Sequence, residues 1–351
     1  MAQLEQIGKL AMKPIGLAIC GALLCAPLFA SAPGLHVIRT YKLGGEGGWD
    51  YLEVDPGAHH LFISRGTHVI VIDEGSGKQV GDIPDTPGVH GIAIAPELGR
   101  GFSSNGREGT VSIFDLKTLK PISKVQNVGE NPDAILYDPV TKRVFTFNGR
   151  SHDSTAIDAA NGNIVGKIAL DGKPEFAVSD GRGGLFANLE DKSELLAIDP
   201  KGLKVTSTWP LAPCESPSGL AIDRKNRRLF VGCDDKMMAV VNGNTGKVIT
   251  TLPIGEGVDA DRFDPERKLA FASCGEGVMT IVKEDSPEKF SVVQNVETER
   301  GARTMALDEK THELFLVTAQ FGPRPAAPTP DNPHQRPPIL PGTFEVLVVG
   351  K

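Results

Sequence analysis

A unit of 40 to 44 residues recurs seven times along the chain, and this repeat limits the possible folds more than any other feature. Residues 128–149 (VGENPDAILYDPVTKRVFTFNG) and 254–275 (IGEGVDADRFDPERKLAFASCG) align almost column by column. A phenylalanine marks the second apolar run of each copy: Phe62, Phe102, Phe145, Phe186, Phe230, Phe271 and Phe315. Such periodicity is typical of repeat architectures, so 351 residues need not form two domains.

Each copy contains four short apolar runs separated by turns rich in Gly, Asp, Asn and Pro. Around Phe230 these runs are GLAID, RRLFVGC, MAVVNG and KVITTLPI. Apolar runs bounded by turn residues predict strands in hairpin succession. One four-stranded sheet cannot bury both of its faces, whereas seven sheets arranged radially cover one another. The sequence therefore predicts an all-β, seven-bladed β-propeller with four-stranded antiparallel blades.

The two ends of the repeat region complement each other. The last copy, residues 304–349, lacks its fourth strand, and residues 37–43 precede the first copy as one extra strand. We therefore expect the N-terminal strand to complete the last blade and close the ring, which makes residues 31–351 a single domain. A proline-rich insertion at residues 321–342 interrupts the last copy. It is either a surface excursion or a cover over the adjacent mouth of the ring.

The first 30 residues have the order of a secretory signal: Lys9 and Lys13, an apolar run at residues 15–29, and then small residues. The run is shorter than the roughly 20 residues needed to span a bilayer, which leaves an uncleaved anchor as the weaker alternative. We expect a periplasmic or secreted bacterial protein whose mature chain has no membrane span. Residues 1–30 hold two lysines and one glutamate, so cleavage would change the formal net charge from −7 to −8. This negative charge argues against nonspecific binding to nucleic acid.

Cys20 and Cys25 lie in the predicted signal, and three cysteines remain after it. Pairing is expected in an oxidising compartment. We predict a disulfide between Cys214 and Cys233, with a Cys233–Cys274 bridge as the alternative.

Several segments of these repeats carry a resemblance to a known family. They are LFVGC, RVFTFNG, NPDAILYDP, GKPEF, PSGLAID and RGARTMALD, together with the proline-rich insertion before PGTFEVLVVG. The chain resembles the YVTN-family β-propeller repeat proteins, specifically the YncE-like exported group. The resemblance implies a seven-bladed propeller in the bacterial periplasm or outside the cell. It implies no settled activity, because some members are described as nucleic-acid-binding and others as surface proteins.

One column of the repeat is polar in every copy. The residues that open the seven first strands are Asp50, His90, Asp133, Glu175, Ser218, Asp259 and Arg303. The first strand of a blade is the innermost, so we expect these side chains to line one mouth of the central channel. Four carboxylates, one arginine and a neutral histidine carry a formal charge of −3. Like charges that converge raise each other's pKa unless something compensates them.

A bound small molecule or cation would provide that compensation. The candidate metal ligands are Asp50, His90, Asp133, Glu175 and Asp259. Such a set suits Ca²⁺, Mg²⁺ or Mn²⁺, and Zn²⁺ through the histidine. Alternatively, the acids accept hydrogen bonds from turn N–H groups, pair with Arg303, or are simply solvated. No organic cofactor is indicated.

Other residues are expected at the same mouth. The turns after the second strands carry Arg65, Arg107 and Arg150, a basic arc that could hold an anionic substrate or a nucleic-acid strand. Trp49 and Phe176 lie next to acidic members of the column and could supply an apolar wall.

Three functions remain open. The first is a monomeric binding or scaffold protein with a ligand in the polar ring. The second is a metal-assisted, lactonase-like hydrolase, in which an acid serves as base and His90 or Arg303 steadies an oxyanion. The third is single-stranded nucleic-acid binding. The sequence contains no nucleophile elbow, zincin helix, phosphate-binding glycine loop or haem-attachment motif.

Overall fold

The structure is a computed structural model that describes residues 34–323 and 337–351. The predicted export signal at residues 1–30 and the central part of the proline-rich insertion, residues 324–336, lie outside the described residues. The described strands form seven four-stranded antiparallel sheets, which confirms the predicted propeller.

Strands occupy equivalent positions in all seven blades. The innermost are β2 (Leu52–Asp55), β6 (Val89–Ala95), β10 (Pro132–Asp138), β14 (Pro174–Ser179), β18 (Pro217–Asp223), β22 (Val258–Asp264) and β26 (Met305–Asp308). The second are β3 (His60–Arg65), β7 (Arg100–Asn105), β11 (Arg143–Asn148), β15 (Leu185–Leu189), β19 (Arg228–Cys233), β23 (Leu269–Cys274) and β27 (Glu313–Thr318). The third are β4 (His68–Asp73), β8 (Thr110–Asp115), β12 (Asp153–Asp158), β16 (Glu194–Asp199), β20 (Met237–Asn242), β24 (Val278–Ser286) and β28 (Glu345–Gly350). The outermost are β5 (Gln79–Ile83), β9 (Pro121–Val125), β13 (Ile164–Ala169), β17 (Lys204–Pro210), β21 (Val248–Pro253), β25 (Lys289–Glu297) and β1 (His36–Lys42).

The ring closes as the sequence predicts. Strand β1 pairs antiparallel with β28, and the register places His36 opposite Gly350 and Lys42 opposite Glu345. The last blade is therefore built from both ends of the domain, and β1 covers the edge of β28.

The core is a ring of seven apolar clusters, each between two neighbouring blades. The marker phenylalanine of every second strand is buried in one of them; Phe230, for example, stacks on Phe263 of the next blade with ring centroids 5.1 Å apart. Each sheet thus covers the face of its neighbour, as a four-stranded blade requires.

Helix is scarce in the described ranges, where it takes the form of two three-residue 3-10 turns, Pro96–Leu98 and Glu190–Lys192. Neither has the length or the apolar character needed to cross a membrane.

The disulfide prediction is confirmed. Cys214 and Cys233 are bonded, with their Cα atoms 5.8 Å apart. Closing a loop of this length contributes about 3 kcal/mol to stability. The alternative Cys233–Cys274 bridge is wrong, because Cys274 is a free, buried thiol whose pKa is raised to about 12 by burial.

Candidate functional site: a polar cavity at the start of the innermost strands

A break in strand register positions the polar column. In blades two to six, the ladder between the first and second strands shifts at the column residue, for example between Pro132 and Ile135 and between Val258 and Ala260. Such a bulge frees a residue from regular pairing and redirects its side chain. In blades one and seven the innermost strand begins only after Asp50 and Arg303.

Polar side chains fix this irregular backbone to the neighbouring blade. The hydroxyl of Ser104 donates to the carbonyl oxygen of Asp133 at 2.5 Å, and that of Ser273 donates to Arg303 O. The Asn188 amide donates to Ser218 O at 3.0 Å, and the Thr304 hydroxyl donates to Asp50 O at 2.7 Å. The column residues are therefore held by contacts between blades, which limits their freedom to move.

Six of the seven column residues line one cavity of about 480 Å³: Asp50, His90, Asp133, Glu175, Asp259 and Arg303. The seventh, Ser218, is buried and donates a hydrogen bond of 3.0 Å to the Asp259 carboxylate. Trp49, Tyr51, Arg107 and Lys173 complete the cavity together with backbone of Gly48, Gly66, Gly88 and Val89.

His90 lies between two carboxylates. Its Nδ1 atom is 2.6 Å from Oδ2 of Asp50 and 3.6 Å from Oδ1 of Asp133. Burial alone would lower the pKa of His90, but the bond to Asp50 and the charge of Asp133 outweigh it and raise the pKa to about 9. Burial raises the pKa of Asp133 to about 7, partly offset by the His90 charge. At neutral pH His90 is therefore an imidazolium, not the neutral ring assumed in the charge count of −3.

Two further pairs complete the charge distribution. Arg303 Nη1 lies 2.9 Å from Oδ2 of Asp259, whose charge raises the pKa of the guanidinium. Nζ of Lys173 lies 3.2 Å from Oε2 of Glu175 and also contacts Glu190. Sequence reasoning missed Lys173, although its position two residues before Glu175 in GKPEF was a usable signal, because alternate residues of an extended segment share a face.

Aromatic residues separate this cavity from the rest of the channel. Tyr51 lines the polar cavity and packs against Phe176, with ring centroids 5.1 Å apart. Phe176 faces a second cavity of about 270 Å³ further along the channel, where the Arg262 guanidinium lies 5.1 Å from its ring. Phe176 was expected to form a wall of the polar site; it lines the second cavity instead and reaches the polar one through its contact with Tyr51.

The predicted basic arc is only partly present. Arg65 is buried, donates to the carbonyl oxygens of Gly47 at 2.7 Å and Glu46 at 2.9 Å, and lies over the Phe344 ring. Its guanidinium is thus engaged by backbone of the entry loop, and a role of Arg65 in ligand binding stays a prediction. Arg107 and Arg150 are exposed and together line a recess of about 440 Å³ next to the polar cavity.

The described ends of the proline-rich insertion lie beside the polar cavity. Phe321, Pro337 and Ile339 line a cavity of about 410 Å³ that also contacts Trp49 and Arg303. Trp49 thus belongs to both cavities, with its ring centroid 6.0 Å from that of Phe321.

Three of the five predicted metal ligands lie close together. Ligand atoms of Asp50, His90 and Asp133 all lie within 4.8 Å of one another, whereas Glu175 and Asp259 are paired with Lys173 and Arg303. The five predicted ligands therefore divide into one compact group of three and two ion pairs.

Comparisons with known proteins support the architecture. No family model matches the chain. Uncharacterized YncE proteins of Salmonella typhi and Salmonella typhimurium are each 23% identical over 202 residues, which are 55% of this chain and 53% of the relative. This chain thus matches about half the length of these curated relatives.

Solved structures share the fold at low sequence identity. Kuenenia stuttgartiensis hydrazine synthase is 16% identical with a TM-score of 0.67, covering 84% of this chain and 96% of that one. The RRP9 WD40 repeats are 9% identical with a TM-score of 0.74, covering 92% and 99%. At these identities the likeness concerns the fold alone. The described blades make this chain a seven-bladed β-propeller, and its sequence is similar to that of the YncE proteins.

Proposed function

We propose that the protein is an extracytoplasmic binding protein that holds a small polar ligand in the cavity formed by the polar column. The observation that carries this proposal is the convergence of six column residues from different blades on one cavity. Their side chains are only 11 to 30% exposed, so a ligand there would meet partly desolvated charges, which discriminate strongly between partners.

Retention of a ligand provides the direct test. The Asp133→Asn, Asp259→Asn double variant removes one acid on each side of the cavity and leaves the interblade cores untouched. Mass spectrometry of protein purified under native conditions should find a small molecule on the wild type that the variant has lost. Equal loading of both proteins, with the fold verified by circular dichroism, would refute a site at this mouth.

A metal-assisted hydrolase is the second candidate, favoured by the close approach of Asp50, His90 and Asp133. A metal ligand must be a neutral imidazole, whereas His90 keeps its proton up to a pKa of about 9. Metal affinity should therefore rise about tenfold per pH unit between pH 6 and pH 9. Calorimetry with Ca²⁺, Mn²⁺ and Zn²⁺ across this range, with lactone and ester hydrolysis measured with and without chelator, tests this candidate. No activity on any substrate at any metal loading would eliminate it.

We further propose that residues 1–30 direct export, that the mature chain is a monomer in the periplasm or outside the cell, and that the disulfide forms there. The disulfide and the similarity to YncE support this location. The intact mass of the protein from fractionated cells checks cleavage, and sedimentation checks the monomer.

A further inference from the structure

The polar cavity adjoins a second cavity whose lining is mainly apolar and glycine, with Arg300 and Arg303 beside it. The polar-column cavity of about 480 Å³ and the neighbouring cavity of about 410 Å³ share Gly48, Trp49 and Arg303 as a common wall. One ligand can therefore contact both, and the chemistry of the two lining surfaces limits what that ligand can be.

Acids outnumber cations on the polar side. Among the described residues of this cavity and its ion pairs, five acids (Asp50, Asp133, Glu175, Glu190 and Asp259) face three close cations, His90, Lys173 and Arg303. Oε2 of Glu175 is buried and lies 3.2 Å from Lys173 Nζ, an ammonium group that it shares with Glu190. Burial and the charge of Asp133 raise the pKa of Glu175 to about 8. Arg107 lies at the exposed rim, where water screens its charge.

Contacts with blade seven and within the described ends of the insertion hold the apolar surface in place. Phe321 packs on Gly301, where a Cβ atom would lie 2.6 Å from the phenylalanine ring, and the backbone of Gly301 has a φ of +86°. A β-bridge joins Phe321 to Ile339, and Gly322 N donates to Pro338 O at 2.8 Å. These contacts hold Phe321 and Ile339 beside Trp49, whose ring packs against that of Phe321, and Ile339 remains 38% exposed.

We propose that the ligand is an organic cation with an ammonium group between Asp133 and Glu175 and a flat apolar body against Trp49, Phe321 and Ile339. This inference rests on the proposed binding function and deepens it. An ammonium group supplies the missing charge and up to three donors to the carboxylates. An inorganic cation would fill the polar cavity alone and leave the apolar wall exposed to water.

Calorimetry with phenylalkylammonium ions of one to four methylene groups tests the two-part site on the full-length mature chain. Each ion is compared with its phenylalkyl alcohol, which lacks the charge, with ethylammonium, which lacks the ring, and with CaCl₂. The best phenylalkylammonium should bind at least about tenfold more tightly than its alcohol and than ethylammonium.

Variants assign each part of the ligand to its cavity. Glu175→Gln should weaken the phenylalkylammonium about tenfold and leave the alcohol unchanged, whereas Trp49→Ala should weaken both ring-bearing probes and leave ethylammonium unchanged. Glu266→Gln is the matched control, because Glu266 is an exposed acid at the other end of the blade-six strand and should change nothing.

The outcomes separate this inference from the proposed function. Calcium binding that depends on Asp133, with no preference for any phenylalkylammonium over its alcohol, would overturn the organic cation and keep the polar ring as a binding site. Ring-bearing probes that respond to Trp49→Ala but not to Glu175→Gln or Asp133→Asn would also overturn the organic cation, whereas the proposed function is refuted by equal ligand loading of the wild type and the double variant.

Discussion

The two ends of the innermost strands both carry acidic residues, but those residues behave in opposite ways. At the far end, six of seven blades have an aspartate at or directly after the strand: Asp55, Asp138, Asp180, Asp223, Asp264 and Asp308. Each accepts hydrogen bonds from backbone N–H groups two to four residues later, as Asp264 does from Glu266 and Arg267. At the cavity end, Asp50, His90 and Asp133 contact side chains of other blades about 40 residues away.

The difference separates structural from functional acids within one repeat. A turn needs the same acceptor in every copy, so its aspartate recurs almost unchanged. A cavity on the ring axis is asymmetric, so its column varies and mixes acids, a histidine, a serine and an arginine. Bonding to turn N–H groups, one of the alternatives for the polar column, thus describes the other end of the same strands.

The largest effect should come from a turn acid. Asp138 is fully buried; its carboxylate accepts hydrogen bonds from Thr141 N at 2.9 Å and from the hydroxyls of Thr141 at 2.6 Å and Ser179 at 2.8 Å. Asp138→Ala leaves these donors without an acceptor and should lower the free energy of unfolding by about 3 kcal/mol, measured by urea denaturation.

Asp133 on the same strand provides the matched comparison. Because its pKa is raised to about 7, its charged form is already disfavoured by the fold. Asp133→Asn should therefore cost less than about 0.5 kcal/mol at pH 7 and be neutral or stabilising at pH 8.5. If both variants lost similar stability, the distinction between the two strand ends would fail.

Asp261 lies in the middle of the innermost strand β22, between the cavity end and the turn end, and provides a third case for comparison. Asp261 lies two residues after the column residue Asp259. The equivalent residue in five of the other blades is apolar: Leu52, Ile92, Ile135, Leu220 and Met305. Burial raises the pKa of Asp261 to about 8, and a hydrogen bond with the Gly232 backbone and the charge of Arg262 offset only part of the rise. Since the unfolded chain loses this proton near pH 4, the contribution of Asp261 to stability is greatest below pH 4 and falls as pH rises through about 8.

Asp261→Asn should remove this fall in stability at high pH, because the amide does not ionise. We expect the variant to gain about 2 kcal/mol over the wild type at pH 8.5 and to match it near pH 4, measured by urea denaturation at each pH. Asp235→Asn, at an exposed surface position, is the control and should follow the wild type. A gain that did not depend on pH would show that packing, not ionisation, dominates at this position.

The fold could be predicted from sequence because its determinants are local and repeated. The spacing of the marker phenylalanines fixed the number of blades, and the missing last strand identified β1 as the closing strand. The Cys214–Cys233 bond followed from two cysteines in one copy. In each case the signal lies within one repeat or in the number of repeats.

The cavity was less predictable because its chemistry depends on contacts between repeats. The column was found by alignment, but the protonation of His90 depends on two acids from neighbouring blades. The guanidinium of Arg65 bonds to carbonyl oxygens of the entry loop and lies over Phe344, nearly 280 residues later, and neither contact can be read from the repeat. Whether Phe176 or Tyr51 faces the cavity depends on depth along the channel axis, which a repeat pattern does not contain.

The last prediction concerns the proton on His90, which links three blades at the cavity end and can be followed without any change in stability. Its pKa, raised to about 9, should be visible in a pH titration of the imidazole ¹⁵N signals. Asp50→Asn should lower it by about one pH unit, equivalent to about 1.4 kcal/mol, and Asp133→Asn by less, because the Nδ1–oxygen distance is 2.6 Å in the first pair and 3.6 Å in the second. A His90 that titrates with the same pKa in all three proteins would mean that the column residues do not interact. The residues at the cavity end would then depend only on their own blade, as those at the turn end do.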